Sequence, residues 1–165
     1  MARHARTLHL PYEELDSAHD LTPAEQSVWE AARAATDHAY APYSGYYVGA
    51  ALLLADGSLF RGTNQENAAY PSGLCAERTA LFGLAASQPG HALIVGMAVA
   101  ARPARGEFGA ALPCGGCRQV MLEAEARQGQ PIALLLPSRQ GTILRFTSLV
   151  DLMPFNFAAD DLPSV

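Results

Sequence analysis

A chain of 165 residues, half of them hydrophobic, suits one compact domain with a sizeable core. Its formal charge of −5 argues against a nucleic-acid partner, whose phosphates need a basic surface. No apolar run is long enough to span a bilayer, and an odd number of cysteines, three, with two of them in a C-x-x-C, fits a reducing cytoplasm better than a disulfide framework.

Residues 1–21 are mixed and unpatterned and read as an N-terminal arm of unassigned role, ahead of a single domain over 22–165. Met1–Leu10 carries Arg and His with no apolar stretch behind them, so it does not read as a signal peptide. Thr22-Pro23-Ala24-Glu25 is a capping box with proline at the first helical position. The helix it opens is expected to run to about Tyr40, with Val28, Ala32, Ala35 and Ala39 on its apolar face and Pro42 beyond its end. His38 lies in it without a second ligand at helical spacing, so it reads as a packing-helix residue rather than a metal ligand. His4, His9, His19 and His91 stand far from the cysteines in sequence and are expected at the surface.

Tyr46–Leu54 is apolar and β-prone, Ala55-Asp56-Gly57-Ser58 reads as a hairpin turn, and Leu59–Thr63 is the returning strand. A loop over Ala68–Leu74 leads to a helix from about Cys75 to Ser87, apolar nearly all round and therefore expected to be buried, either in the domain or against another subunit. Ile94–Ala101 reads as a buried strand and Arg102–Leu112 as a loop. A helix from near Gly115 to Gln128, strands at Ile132–Leu136 and Thr142–Phe146, and at most a helical turn at Ser148–Leu152 complete the chain. Helices and strands alternating after an opening hairpin imply an α/β fold, a three-layer α/β/α sandwich on a mixed sheet, here expected to have five strands.

All three cysteines fall at predicted helix N-termini, where backbone N–H groups and the helix dipole favour thiolate. Cys114 and Cys117 can turn both sulfurs to one ion, and Cys75 must be brought in by the fold from 39 residues earlier. Three thiolates can hold a Zn2+ and leave its fourth tetrahedral position open, as a catalytic zinc requires. A lone C-x-x-C reads equally as a helix cap with two buried thiols. A structural zinc site needs a fourth ligand, and no further Cys exists. Glu77, two residues after Cys75, is either a first-turn glutamate favoured by the dipole or a proton shuttle whose pKa is raised by burial. Alternation places Asn64 and Glu66 on one side of the chain, where they read equally as a polar turn or as a pair gripping a sugar hydroxyl.

Five linked motifs carry a resemblance. They are Ala41-Pro42-Tyr43-Ser44, Val48-Gly49-Ala50-Ala51, Asn64-Gln65-Glu66-Asn67, Cys75-Ala76-Glu77-Arg78-Thr79-Ala80 and Pro113-Cys114-Gly115-Gly116-Cys117-Arg118-Gln119-Val120. In order and spacing, from about Thr22 to Leu162, the chain resembles the small three-cysteine zinc-dependent cytidine deaminases. The resemblance implies one zinc per subunit on Cys75, Cys114 and Cys117, with Glu77 as the catalytic acid–base. It implies that Asn64 and Glu66 bind the ribose of a small pyrimidine nucleoside and that backbone groups at Ala76 read the pyrimidine edge. Arg78 would hydrogen-bond the ligand sulfurs and offset their charge. Tyr46 stands where the family usually carries a base-stacking Phe, and Gly116 where it often carries Ala. Leu152-Met153-Pro154-Phe155-Asn156-Phe157 is similar to the family's ending, which implies that Phe157 reaches a neighbour's site in a homotetramer with shared active sites.

The implied reaction is hydrolysis of cytidine or deoxycytidine to the uridine and ammonia. Another aminopyrimidine nucleoside is the alternative of the same chemistry. A nucleic-acid editor conflicts with the acidic charge and with Cys75, where editors usually carry His. A non-catalytic zinc protein would leave Glu77 idle.

Overall fold

The computed structural model describes residues 3–88 and 92–163. His91 lies outside them, while His4, His9 and His19 are exposed as expected; His38 is exposed as well, in a short turn and not in a packing helix.

Among the described residues, six strands form one mixed sheet. In chain order they are β1 (Glu13–Leu15), β2 (Tyr46–Leu54), β3 (Leu59–Thr63), β4 (Ile94–Pro103), β5 (Ala133–Pro137) and β6 (Ile143–Phe146), arranged β1-β6-β5-β4-β2-β3. Only β4 and β5 pair in parallel. Three helices flank the sheet: α1 (Pro23–Ala35), α2 (Ala76–Ser87) and α3 (Gly115–Gln128).

Strand alternation divides the core into two layers. Ala51, Ala98, Ala100 and Leu135 face α1 through Val28, Trp29 and Ala32. Ala50, Leu52, Met97, Val99, Leu134 and Leu136 face α2 and α3 through Ala80, Leu84 and Met121. With one helix on one face and two on the other, the expected α/β/α sandwich is observed. Two glycines set how close the layers come. A Cβ on Gly49 would lie 2.2 Å from the Ala32 carbonyl oxygen of α1, and one on Gly62 2.3 Å from the Ala80 nitrogen of α2.

Two expectations need correction. The sheet has six strands, not five, because Glu13–Leu15, within the N-terminal stretch read as an arm, pairs antiparallel with β6. Two glutamates in three residues carry no apolar alternation. What secures them is long-range: Arg145 binds Glu13 at 3.0 Å and Glu25 of α1 at 2.9 Å, and the Tyr12 ring stacks on Phe146. Secondly, α1 ends at Ala35 rather than near Tyr40 and tightens into a 3-10 turn over Thr36–His38. There the Thr36 hydroxyl bonds back to the Arg33 carbonyl at 2.7 Å, and Arg102 of β4 donates to Thr36 at 3.1 Å and to Asp37 at 2.7 Å. Those bonds hold the chain to the sheet and draw it off the helical path.

Candidate active site

The start of α2 is fixed by its entry loop. Gln65 and Leu74 exchange backbone hydrogen bonds at 2.9 and 3.0 Å, which sets Cys75 at the N-cap of α2. Cys114 is the N-cap of α3, and Cys117 lies in that helix's first turn. The Arg118 guanidinium donates to the carbonyl of Pro113 at 3.0 Å and to that of Leu152 at 3.4 Å, steadying the turn into α3.

The two helix starts bring the three sulfurs within 4.8 Å of one another, with Cys114 and Cys117 3.6 Å apart. Zn–S bonds of about 2.3 Å in a tetrahedron require sulfurs about 3.8 Å apart. The donor set and its spacing therefore fit zinc. Arg78 donates to the Cys75 sulfur at 3.6 Å and to the Gly73 carbonyl at 3.4 Å. Its Nε is buried without a hydrogen-bond partner among the described residues. A hydrogen bond from Cys117, then the Arg78 guanidinium, bring the Cys75 thiol down to about 5. The same contact with Cys75, with burial, pushes the Cys117 thiol up.

Glu77 is buried at 5% exposure beside this cluster. Burial first, then the negative charge of Cys75, raises its carboxyl above the ordinary glutamate value. A carboxyl raised in this way is better able to hold a proton and hand it on.

A cavity of about 640 Å³ opens onto the cluster. Its walls include Cys75, Cys114, Cys117, Ala76, Glu77 and Arg78, and also Tyr46, Asn64 and Glu66. All the residues that the sequence marked, except Phe157, thus meet around one space. Asn64 accepts from the Val48 N–H at 2.8 Å and donates to the Tyr46 carbonyl at 2.9 Å, leaving one N–H and one lone pair unspent. Glu66 accepts from the N–H groups of Tyr43 and Ser44 at 2.9 and 3.2 Å through one oxygen, Oε2. The Ser44 side chain, then those amides, hold its carboxyl below the usual range. The Tyr46 hydroxyl finds a partner in the Ala110 carbonyl at 2.8 Å.

Phe157 does not line its own chain's cavity. It is 57% exposed and shares a second groove with Leu81 and Phe82 of α2 and Val120 of α3, its carbonyl held by Gln119 at 2.8 Å. Sequence reading gave no role to Tyr43 and Ser44, whose amides seat Glu66. Their one signal was membership of the Ala41–Ser44 motif.

The model of the "Cytidine and deoxycytidylate deaminase zinc-binding region" matches residues 23–130. The chain belongs to this family. A cytidine deaminase of Halalkalibacterium halodurans is 44% identical over 128 residues, 78% of this chain and 89% of that protein. One from Mycobacterium tuberculosis is 38% identical over 125 residues, 76% of this chain and 83% of that protein. The crystal structure of cytidine deaminase from Burkholderia pseudomallei superposes with a TM-score of 0.68 at 41% identity, covering 83% of this chain and all of that one. For a cytidine deaminase family member, the three-thiol cluster is where the zinc fits.

Proposed function

We propose that this protein catalyses the zinc-dependent hydrolytic deamination of cytidine and deoxycytidine, releasing ammonia and the corresponding uridine. The observation that carries the reading is Glu77, buried against three clustered thiols on the wall of a nucleoside-sized cavity.

Zinc on Cys75, Cys114 and Cys117 would supply the Lewis acidity that makes water a nucleophile near neutral pH. Glu77 takes the proton that water loses and delivers protons to N3 of the base and to the departing amino group. Arg78, turned onto the Cys75 sulfur, offsets the charge of the thiolates. The backbone at Ala76 faces the pyrimidine edge, the Tyr46 ring stacks on the base, and Asn64 and Glu66 hold the sugar through the hydrogen-bonding capacity that their backbone contacts leave unspent.

The charge of the cavity favours a free nucleoside over its 5′-phosphate. Arg78 is the one cation on the described walls and is engaged with Cys75, while Glu66 is held ionised. Phe157 we assign to a neighbouring subunit's cavity in a homotetramer, a role supported by its exposure and by its position away from its own cavity. The three free thiols suit a cytoplasmic protein.

The test is loss of cytosine absorbance on incubation with cytidine, for wild type, for chelator-treated protein and for Glu77→Gln. Wild type turns over, chelation abolishes turnover, and Glu77→Gln lowers it by about 10²- to 10⁴-fold. Zinc-loaded protein inert toward both cytidine and deoxycytidine would overturn the reading.

A further inference from the structure

We propose that the Tyr46 hydroxyl is a positioning group that holds one wall of the nucleoside cavity in place. This rests on the reading of that cavity as the nucleoside site.

The wall is the 104–112 segment, which contributes Ala110, Ala111 and Leu112 to the cavity. Small residues dominate it, Gly106 takes a φ of +128°, and of its side chains Ala111 and Phe108 reach the two core layers. Its backbone is pinned by Ala104 N–H to the Gly45 carbonyl and Gly109 N–H to the Ala101 carbonyl, each at 2.9 Å, and by a longer bond of 3.4 Å from Ala111 N–H to the Pro137 carbonyl. Phe108, under the Arg33 guanidinium, anchors the outer side of the segment on α1. Among the described residues, Tyr46 is the one side chain that hydrogen-bonds the segment's backbone, and it does so at Ala110, where the segment meets the cavity.

Tyr46 is itself fixed at both backbone groups. Its N–H donates to the Ser44 hydroxyl at 3.0 Å and its carbonyl accepts from Asn64 at 2.9 Å. Ser44 N–H in turn holds Glu66. One run of hydrogen bonds therefore joins the two proposed sugar ligands to the wall at Ala110, with Tyr46 as the link. The hydroxyl proton is committed to Ala110, so the group acts on substrate through the wall and not by donating to it.

Tyr46→Phe keeps the ring and removes only the link, so it separates this role from base stacking. In the full-length, zinc-loaded protein, KM for cytidine rises about 2- to 10-fold, the worth of one neutral hydrogen bond, while kcat changes far less. Amide exchange, read by mass spectrometry, speeds up over 104–112 and is unchanged in α1 and α3. An unchanged KM, or unchanged exchange over 104–112, overturns the proposal, as does an equal fall in kcat with exchange accelerated throughout. Wild type without activity on cytidine would overturn the functional reading instead, and the exchange measurement would then decide whether the link exists.

Discussion

Gly62 of β3 lies so close to Ala76 of α2 that a Cβ would stand 2.6 Å from the Ala76 carbonyl oxygen. The obstacle is helix backbone, not a side chain that can swing away. Gly62→Ala therefore has to move the helix that begins with Cys75 and Glu77. Overpacking of this kind costs about 1–3 kcal/mol. The expected result is a lowered Tm together with a weaker hold on zinc. Thermal unfolding and metal analysis of the same preparation check both.

Glu125 of α3 tests the other side of the site. Its buried carboxylate accepts from the N–H groups of Ile132 at 2.7 Å and Leu149 at 2.8 Å, and from the Ser148 hydroxyl. Ile132 and Leu149 are both fully buried, so water cannot replace the lost acceptor. Glu125→Ala should destabilise the protein by about 2–6 kcal/mol, from two stranded buried donors at about 1–3 kcal/mol each. Glu125→Gln should be milder, because its amide oxygen can still serve the two N–H groups. Urea denaturation of the three proteins ranks them.

The two glutamates of the cavity should separate on a pH profile. Burial raises the Glu77 carboxyl above 4.5, and hydrogen bonds hold that of Glu66 below it. As pH falls from neutrality, Glu77 protonates first and the base form is lost, so kcat declines. Glu66 stays ionised through that range, so KM for cytidine stays level until more acid pH. Its contribution to the fold follows the same sign: present above the unfolded value and lost only as pH drops through the lowered folded value. Steady-state kinetics across the acid range show whether kcat moves before KM.

Removing zinc should leave one thiol unusually reactive. Cys75 lies near 5 beside Arg78, whereas Cys117 is pushed up and buried. Because the thiolate is the nucleophile, iodoacetamide should modify Cys75 in the stripped protein well below the ordinary thiol range, with a rate that falls as pH drops through about 5. Re-added zinc should protect it. Peptide mapping after a short pulse identifies the alkylated residue.

Local pattern carried much of this molecule. The apolar runs on either side of Asp56-Gly57 are the β2–β3 hairpin, and the Thr22–Glu25 capping box opens α1 with both of its reciprocal bonds made. The cysteines fall at the starts of α2 and α3 as their spacing suggested. What the sequence concealed depends on partners distant along the chain. The Tyr46 hydroxyl bonds a carbonyl 64 residues on, and the Glu66 carboxylate is seated by amides 22 and 23 residues before it. The end of α1 is drawn off its path by Arg102, 65 and 66 residues away. Neither propensity nor periodicity within a window registers such contacts.

The pairing of β1 with β6 also dictates an order of assembly. Glu13 and Arg145 are 132 residues apart, so almost the whole polypeptide must be made before they can meet. On a ribosome the β2–β3 hairpin and α1 have partners within the sheet before β6 is made, whereas β1 does not. Closing so large a loop is entropically slow and is rewarded only when β6 is in place. Until β1 pairs, the sheet edge at β6 is open.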